Sequence, residues 1–174
     1  MSAEKPLVNR VAKSGIITLN LEHYYPELEI VSFNIADYLF RGLLLREKDF
    51  RAALAEHDWL QYQDKHLAVY CSNDAIVPVW AYQLIAIMAA PYAASIVEGS
   101  PTELIKAHYL KVLPTLPLEQ YQDQRVVIKG CSDKPVPVAA YLELARLLTP
   151  FAKKIMYGEP CSMVPLYKKP VQKK

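Results

Sequence analysis

The sequence contains few glycines, few cysteines and little net charge. It has five glycines against thirteen prolines in 174 residues, a balance that favours rigid, well-defined loops over flexible linkers. The net charge of +2 argues against a nucleic acid or a membrane surface as the partner, and no basic stripe alternates with aromatic residues. The composition, 52% hydrophobic and 22% charged, is typical of a soluble globular protein.

The sequence also lacks a secretion signal and a long apolar run. Its first residues lack the apolar run that a signal peptide contains. The longest apolar stretch, residues 75–94, is interrupted by two prolines and a glutamine. We interpret that stretch as a buried helix rather than a membrane span. Three cysteines without a secretion signal indicate the cytoplasm, with thiols that are free or bind a metal. The length predicts one domain, residues 1–174, with frayed ends at residues 1–6 and 168–174.

Hydrophobic patterning predicts a mixed α/β protein. Residues 16–24 and 31–35 alternate between apolar and polar side chains, and the short connection between them predicts an antiparallel strand pair. From residue 66 onwards, apolar runs alternate with helical stretches, which is typical of βαβ units around a parallel sheet. The predicted helices cover residues 47–56, 77–90, 102–113 and 138–148. The expected fold is therefore three-layer α/β, with a mainly parallel sheet and the N-terminal antiparallel pair at its edge.

The three cysteines stand in similar local sequences. Cys71, Cys131 and Cys161 are each followed by serine and, a few residues later, by a Val-Pro pair. The first two of these phrases continue alike as far as Tyr82 and Tyr141. Cysteines that only pack have no reason to share downstream neighbours, so the repeat predicts a recurring strand–loop–helix unit. We expect Cys71 and Cys131 to occupy equivalent positions, with a one-residue difference between their loops.

The predicted topology would bring these loops together. Parallel strands end at one edge of a sheet, and ligand crevices form there. Thiolates suit zinc and iron, so the pattern predicts an accessory protein with a metal or iron–sulfur site at this edge. The predicted metal ligands are Cys71, Cys131 and Cys161. The polar groups predicted to support the site are Ser72, Ser132, Ser162, Asp74, Asp133 and Glu159.

Three other interpretations stay open. In a cysteine-dependent enzyme, one thiolate would be the nucleophile, with an acid or His57 in support. Alternatively, serine hydroxyls and helix N-terminal amides would bind a phosphate or carboxylate without any metal. Cysteine is also among the most often buried residues, so the protein could be an interaction module with purely structural cysteines. The cysteine spacings match no zinc-finger signature.

The segment His57-Asp58-Trp59 looks like a catalytic dipeptide beside an aromatic residue. Histidine and aspartate near a helix end serve more often in capping, and tryptophan more often fills a core. We therefore interpret this segment as structural.

Several phrases spread over the chain resemble one protein family. They are Asn9-Arg10-Val11-Ala12, Leu45-Arg46-Glu47-Lys48-Asp49-Phe50-Arg51, His57-Asp58-Trp59, Ala75-Ile76-Val77-Pro78 with Trp80-Ala81-Tyr82, and Gly158-Glu159-Pro160-Cys161-Ser162. This set resembles the bacterial proteins grouped as domain of unknown function 2480. The resemblance implies a small cytoplasmic protein of one domain and brings no activity with it. It also implies iron–sulfur assembly proteins as partners.

Overall fold

The computed structural model describes residues 15–130, 133–159 and 162–170. The chain divides into two compact units. The first unit consists of residues 1–25 and 109–174, and the second unit consists of residues 26–108.

The described part of the chain is a mixture of strands and helices, as predicted. The strands are β1 (Ile16–Asn20), β2 (Ile30–Asn34), β3 (His66–Tyr70), β4 (Ser95–Glu98), β5 (Arg125–Lys129), β6 (Lys154–Glu159) and β7 (Ser162–Lys168). The α-helices are α1 (Glu47–Glu56), α2 (Val79–Ala89), α3 (Pro101–Val112) and α4 (Val138–Leu148). Short 3-10 helices lie at Leu21–Tyr24, Ile35–Tyr38, Trp59–Tyr62, Leu113–Thr115 and Leu118–Tyr121. The four predicted helices are all present, and their ends differ from the predicted ones by two residues or fewer.

Each unit is built around three parallel strands. In the second unit β3 lies between β2 and β4 and is parallel to both. In the first unit β5 lies between β1 and β6, and β7 pairs antiparallel with the other side of β6. The central strands are buried on both faces, as parallel sheets require. Their buried residues are Leu67, Ala68 and Val69 in β3, and Val126, Val127 and Ile128 in β5.

The prediction that the two N-terminal strands form an antiparallel pair is wrong. β1 pairs in parallel with β5, and β2 pairs in parallel with β3, so the two strands belong to different sheets. Alternation of apolar and polar residues reports only that one face of a strand is buried, which is equally true of an edge strand in a parallel sheet. The direction of pairing depends on a partner that is distant in sequence. The predicted three-layer arrangement stays a prediction.

The two units repeat one plan at a constant offset. β3 and β5 begin 59 residues apart, and the same offset separates α2 from α4 and β4 from β6. The burial pattern of α2 recurs residue by residue in α4. Asp64 and Asp123 are also equivalent, and both adopt a left-handed φ, 57° and 56°. The recurring strand–loop–helix unit predicted from the cysteine phrases is therefore present.

The loops that follow the two central strands have the same length. Eight residues separate β3 from α2, and eight separate β5 from α4, so the predicted one-residue difference is wrong. At the common offset Cys71 corresponds to Gly130, and Cys131 to Ser72. A Cβ at Gly130 would lie 2.8 Å from the hydroxyl oxygen of Tyr141, so a larger side chain at this position would require Tyr141 to move. The cysteine of the second loop stands one residue later in the sequence.

The C-terminal segment is attached to the first unit. Lys168 is the last residue of β7, and Lys169 Nζ lies 3.0 Å from Asp123 Oδ1. The Lys169 amide also donates to the carbonyl of Lys153 at 3.0 Å. Residues 1–6 and 171–174, which were predicted as frayed, lie outside the described residues.

Candidate functional site at the strand ends

Polar loops follow the carboxyl ends of the parallel strands in both units. These ends are Asn34, Tyr70 and Glu98 in the second unit, and Asn20, Lys129 and Glu159 in the first unit. Because neighbouring strands run in the same direction, their ends lie along one edge of each sheet. We call this edge the rim of the unit. The two sheets have two rims, whereas the sequence predicted a single one.

Asn34 organises the rim of the second unit. Its Oδ1 accepts hydrogen bonds from the amides of Ala36 at 3.1 Å and Ser72 at 3.0 Å. Its Nδ2 donates to the Ser72 hydroxyl at 2.9 Å. One asparagine therefore caps the turn after β2 and fastens the loop after β3. Both the amide and the hydroxyl of Ser72 are therefore engaged in hydrogen bonds to Asn34.

Cys71 lies half-buried at the same rim, as a free thiol. Tyr82, on the first turn of α2, lies close enough to Cys71 for the charge of the cysteine to affect the pKa of the tyrosine. Burial raises the pKa of the Tyr82 hydroxyl, and the charges of Glu98 and Cys71 raise this pKa further. Asp74 is exposed. The rim of the second unit thus combines a thiol, a phenol and a carboxylate.

A buried carboxylate lies at the rim of the first unit. Glu22 is only 9% exposed, and its Oε1 accepts the amide hydrogen of Asp133 at 2.9 Å. Asn20 Oδ1 accepts the amide hydrogen of Glu22 at 3.1 Å, which repeats the capping by Asn34 in the other unit. Removing a carboxylate from water is costly unless it gains hydrogen bonds or a positive partner. Glu22 is therefore a functional candidate, although it is not among the site residues predicted from the sequence.

An ion pair joins the ends of two neighbouring strands in the first unit. Lys129 Nζ lies 3.1 Å from Glu159 Oε1 and 3.3 Å from Glu159 Oε2. These residues end β5 and β6 respectively. In the sequence, Cys131 stands two residues after Lys129, and Cys161 stands two residues after Glu159. Two of the predicted ligands thus come, in the sequence, two residues after residues whose side chains are in contact.

The structure describes only part of the predicted site. Cys71, Ser72 and Asp74 belong to the second unit, and Asp133, Glu159 and Ser162 belong to the first unit. Cys131, Ser132 and Cys161 lie outside the described residues. Within residues 15–130, 133–159 and 162–170, no group of three or more histidine, cysteine, aspartate or glutamate side chains is arranged to hold a metal ion.

A second polar cluster, around His57, lies in the second unit. His57 Nδ1 is hydrogen-bonded to the Tyr38 hydroxyl at 3.1 Å, and Nε2 to the Tyr62 hydroxyl at 2.9 Å. Burial lowers the pKa of His57 and raises that of Tyr62 to about 12. The segment's other residues do what was predicted: Asp58 Oδ1 accepts the Leu60 amide at 3.1 Å, and Trp59 is buried.

The fold and the rims define a duplicated α/β protein with polar loops at the carboxyl ends of its strands. The chain belongs to the family described as Protein of unknown function (DUF2480), whose model matches residues 5–169. This confirms the resemblance. A search of curated proteins and a search of solved structures each found no match. Among the described residues, no helix has the length and apolar character needed to span a membrane.

Proposed function

We propose that this protein is an accessory protein that binds zinc, iron or an iron–sulfur species through its cysteines at the strand ends. Cys131 and Cys161 are the central ligands of the proposal. The observation that carries it is the contact between Lys129 and Glu159 at the ends of adjacent strands. Cys71 stays a predicted third ligand, with its own variant in the experiment below.

The length of chain after this ion pair supports a shared site. Lys129 and Glu159 end the adjacent parallel strands β5 and β6, and each cysteine follows two residues later in the sequence. Two residues of extended chain span at most about 7 Å. This reach allows both thiolates to bind one ion, for which zinc–sulfur bonds of about 2.3 Å are needed.

The charges of the first rim suit a thiolate-bound cation. A positive charge near a cysteine lowers its pKa and so favours the thiolate, and in this proposal Lys129, two residues before Cys131 in the sequence, supplies that charge. Glu22 and Asp133 offer carboxylates to complete the coordination or to accept hydrogen bonds from the ligands. Glu22 is well suited to this role because it is buried and held by the Asp133 amide, two residues after Cys131.

The donor set favours soft or borderline metals. Thiolates select zinc, iron and iron–sulfur clusters, whereas magnesium and calcium prefer oxygen ligands. In this proposal the serines, including Ser132 and Ser162, support the loops rather than bind the metal, as Ser72 does in the second unit. The partners that the proposal implies are iron–sulfur assembly proteins, and the compartment it implies is the cytoplasm.

Metal analysis of protein purified without oxygen and without chelator tests the proposal. We expect the native chain to retain zinc or iron, and Cys131→Ser and Cys161→Ser each to lower the retained metal by about tenfold or more, because a serine hydroxyl is a poor ligand at neutral pH. Glu22→Gln should lower it less. The Glu143→Gln variant is the matched control, since Glu143 pairs with Arg146 on α4 and should not affect metal.

The outcomes of this experiment are distinguishable. Absence of zinc and iron from the anaerobic preparation, with no uptake of added metal, would reject the proposal. Cys71→Ser decides whether the third predicted cysteine is a ligand. Loss of metal in only one of the cysteine variants would favour the hypothesis of a cysteine-dependent enzyme over that of a metal site.

A further inference from the structure

The second unit exposes a group of large apolar side chains beside its rim. Leu43 is 72% exposed, Leu44 59%, Ile76 93% and Val79 72%. We call these four residues the apolar patch. Single exposed apolar residues are common on protein surfaces, whereas several at one place mark an interaction site.

The apolar patch has two halves that are bonded to each other. Leu43 and Leu44 belong to the loop at residues 40–44, and Ile76 and Val79 belong to the loop after β3 and the start of α2. Asn73 Nδ2 donates a hydrogen bond to the carbonyl of Gly42 at 3.0 Å. This bond joins the two loops that carry the four exposed apolar side chains.

The loop at residues 40–44 is closed by backbone hydrogen bonds and contains a strained residue. The Phe40 amide donates to the carbonyl of Leu44 at 2.8 Å, and the Leu44 amide donates back to the carbonyl of Phe40 at 3.3 Å. Arg41 adopts a φ of 53°, a left-handed conformation that is unfavourable for a non-glycine residue. In the described residues of the first unit nothing corresponds to this loop, because the chain passes after Tyr25 into the second unit. The shared fold therefore does not require it, and such strain is typical of functional segments.

The two halves of the patch carry opposite charges. Arg41 is exposed on the leucine half, and Asp74 is exposed on the half with Ile76. Within the part of the chain that the structure describes, neither forms an ion pair. The neighbouring Arg46, by contrast, lies 3.6 Å from Asp49. The patch thus presents one positive and one negative charge that are available to a partner.

We propose that the apolar patch is the interface of a twofold-symmetric dimer of this chain. In such a dimer the same surface of both copies is in contact, and with the twofold axis running between the two halves, each half of the patch faces the other half of the second copy. Arg41 of each copy then faces Asp74 of the other, around a centre of leucine, isoleucine and valine side chains, as in a polar-rimmed apolar interface. A partner of a single charge sign would be attracted by one half of the patch and repelled by the other.

Sedimentation equilibrium of the full chain over a wide concentration range tests this interface. We expect a monomer–dimer equilibrium whose dissociation constant rises by at least about tenfold in Leu43→Glu and in Ile76→Glu, because each places a charge in an apolar contact. Leu60→Glu is the matched control. Leu60 is 64% exposed and belongs to the 3-10 helix Trp59–Tyr62, outside both loops of the patch, so its replacement should leave the dissociation constant unchanged.

Charge reversal tests the proposed symmetry. Arg41→Glu and Asp74→Arg should each weaken the dimer about tenfold or more, because each creates two like-charged contacts, and the double variant should restore the dimer. Far-ultraviolet circular dichroism checks that every variant is folded, and Leu44→Glu replaces any that is not. A wild-type chain that stays monomeric, or a dimer insensitive to the glutamate variants, would overturn the interface. Failure of the double variant to recover would reject the facing of Arg41 and Asp74.

Discussion

Replacing Gly158 by alanine is expected to destabilise the first unit by about 3 kcal/mol. Gly158 adopts a φ of 111°, which side-chain-bearing residues rarely adopt, and an added Cβ would lie 2.8 Å from the carbonyl oxygen of Ser162. That oxygen belongs to the backbone of β7, so relief of the clash requires β6 and β7 to separate. Urea unfolding followed by circular dichroism measures the change in the free energy of unfolding.

Gly15→Ala is the matched control for this variant. Gly15 has a φ of 61°, but nothing lies within 4 Å of its added Cβ, so only the backbone penalty of about 1 kcal/mol applies. If Gly158→Ala costs no more than Gly15→Ala, the close approach of the two strands does not constrain this position.

Acidification is expected to destabilise the second unit through His57. In the unfolded chain this imidazole takes up a proton near its ordinary pKa of about 6.5. In the folded chain burial lowers its pKa, so below pH 6.5 the unfolded state binds more protons. Stability is therefore fully present above about pH 6.5 and is lost as the pH falls towards the lowered pKa of the folded state. Urea titrations over this pH range, followed by tryptophan fluorescence, measure the loss.

The His57→Gln variant separates this effect from other titrations. At neutral pH we expect it to cost about 2 kcal/mol, because the buried Tyr62 hydroxyl loses its 2.9 Å hydrogen bond. The pH slope should become shallower without vanishing, because burial also lowers the pKa of His66. His66→Gln is the companion control. A His57 variant with the full wild-type slope would contradict the assignment.

Local features of the sequence were sufficient to predict the helices and the class of fold. α4 was predicted at residues 138–148 and lies at Val138–Leu148, because Pro137 precedes a regular apolar period that ends at Leu148. The pairing partner of each strand, by contrast, could not be predicted from local sequence. The first residue of β1, Ile16, pairs with Arg125, 109 residues later, and nothing in the alternation of β1 identifies that partner.

The candidate site was only partly predictable for a similar reason. Alternation placed Glu22 on the polar face of a strand running from residue 16 to 24. The strand ends instead at Asn20, whose side chain caps a turn that directs Glu22 into the protein. The likeness of Asn20-Leu21 to Asn34-Ile35 was the available signal. The bond of His57 to Tyr38 spans 19 residues, and no local pattern reports it.

The pairing of β1 has a consequence for synthesis on the ribosome. The second unit is complete once the chain has emerged to His108, whereas β1 is made first and waits for β5. Folding during translation can therefore begin with the second unit, and the first unit is assembled last, through contacts of long sequence separation that form slowly. Cys131 and Cys161 emerge in this final stage, so nascent chains that stop before β6 cannot carry the proposed pair of ligands. Metal loading of that pair would then follow the synthesis of β6 and of the cysteine after it.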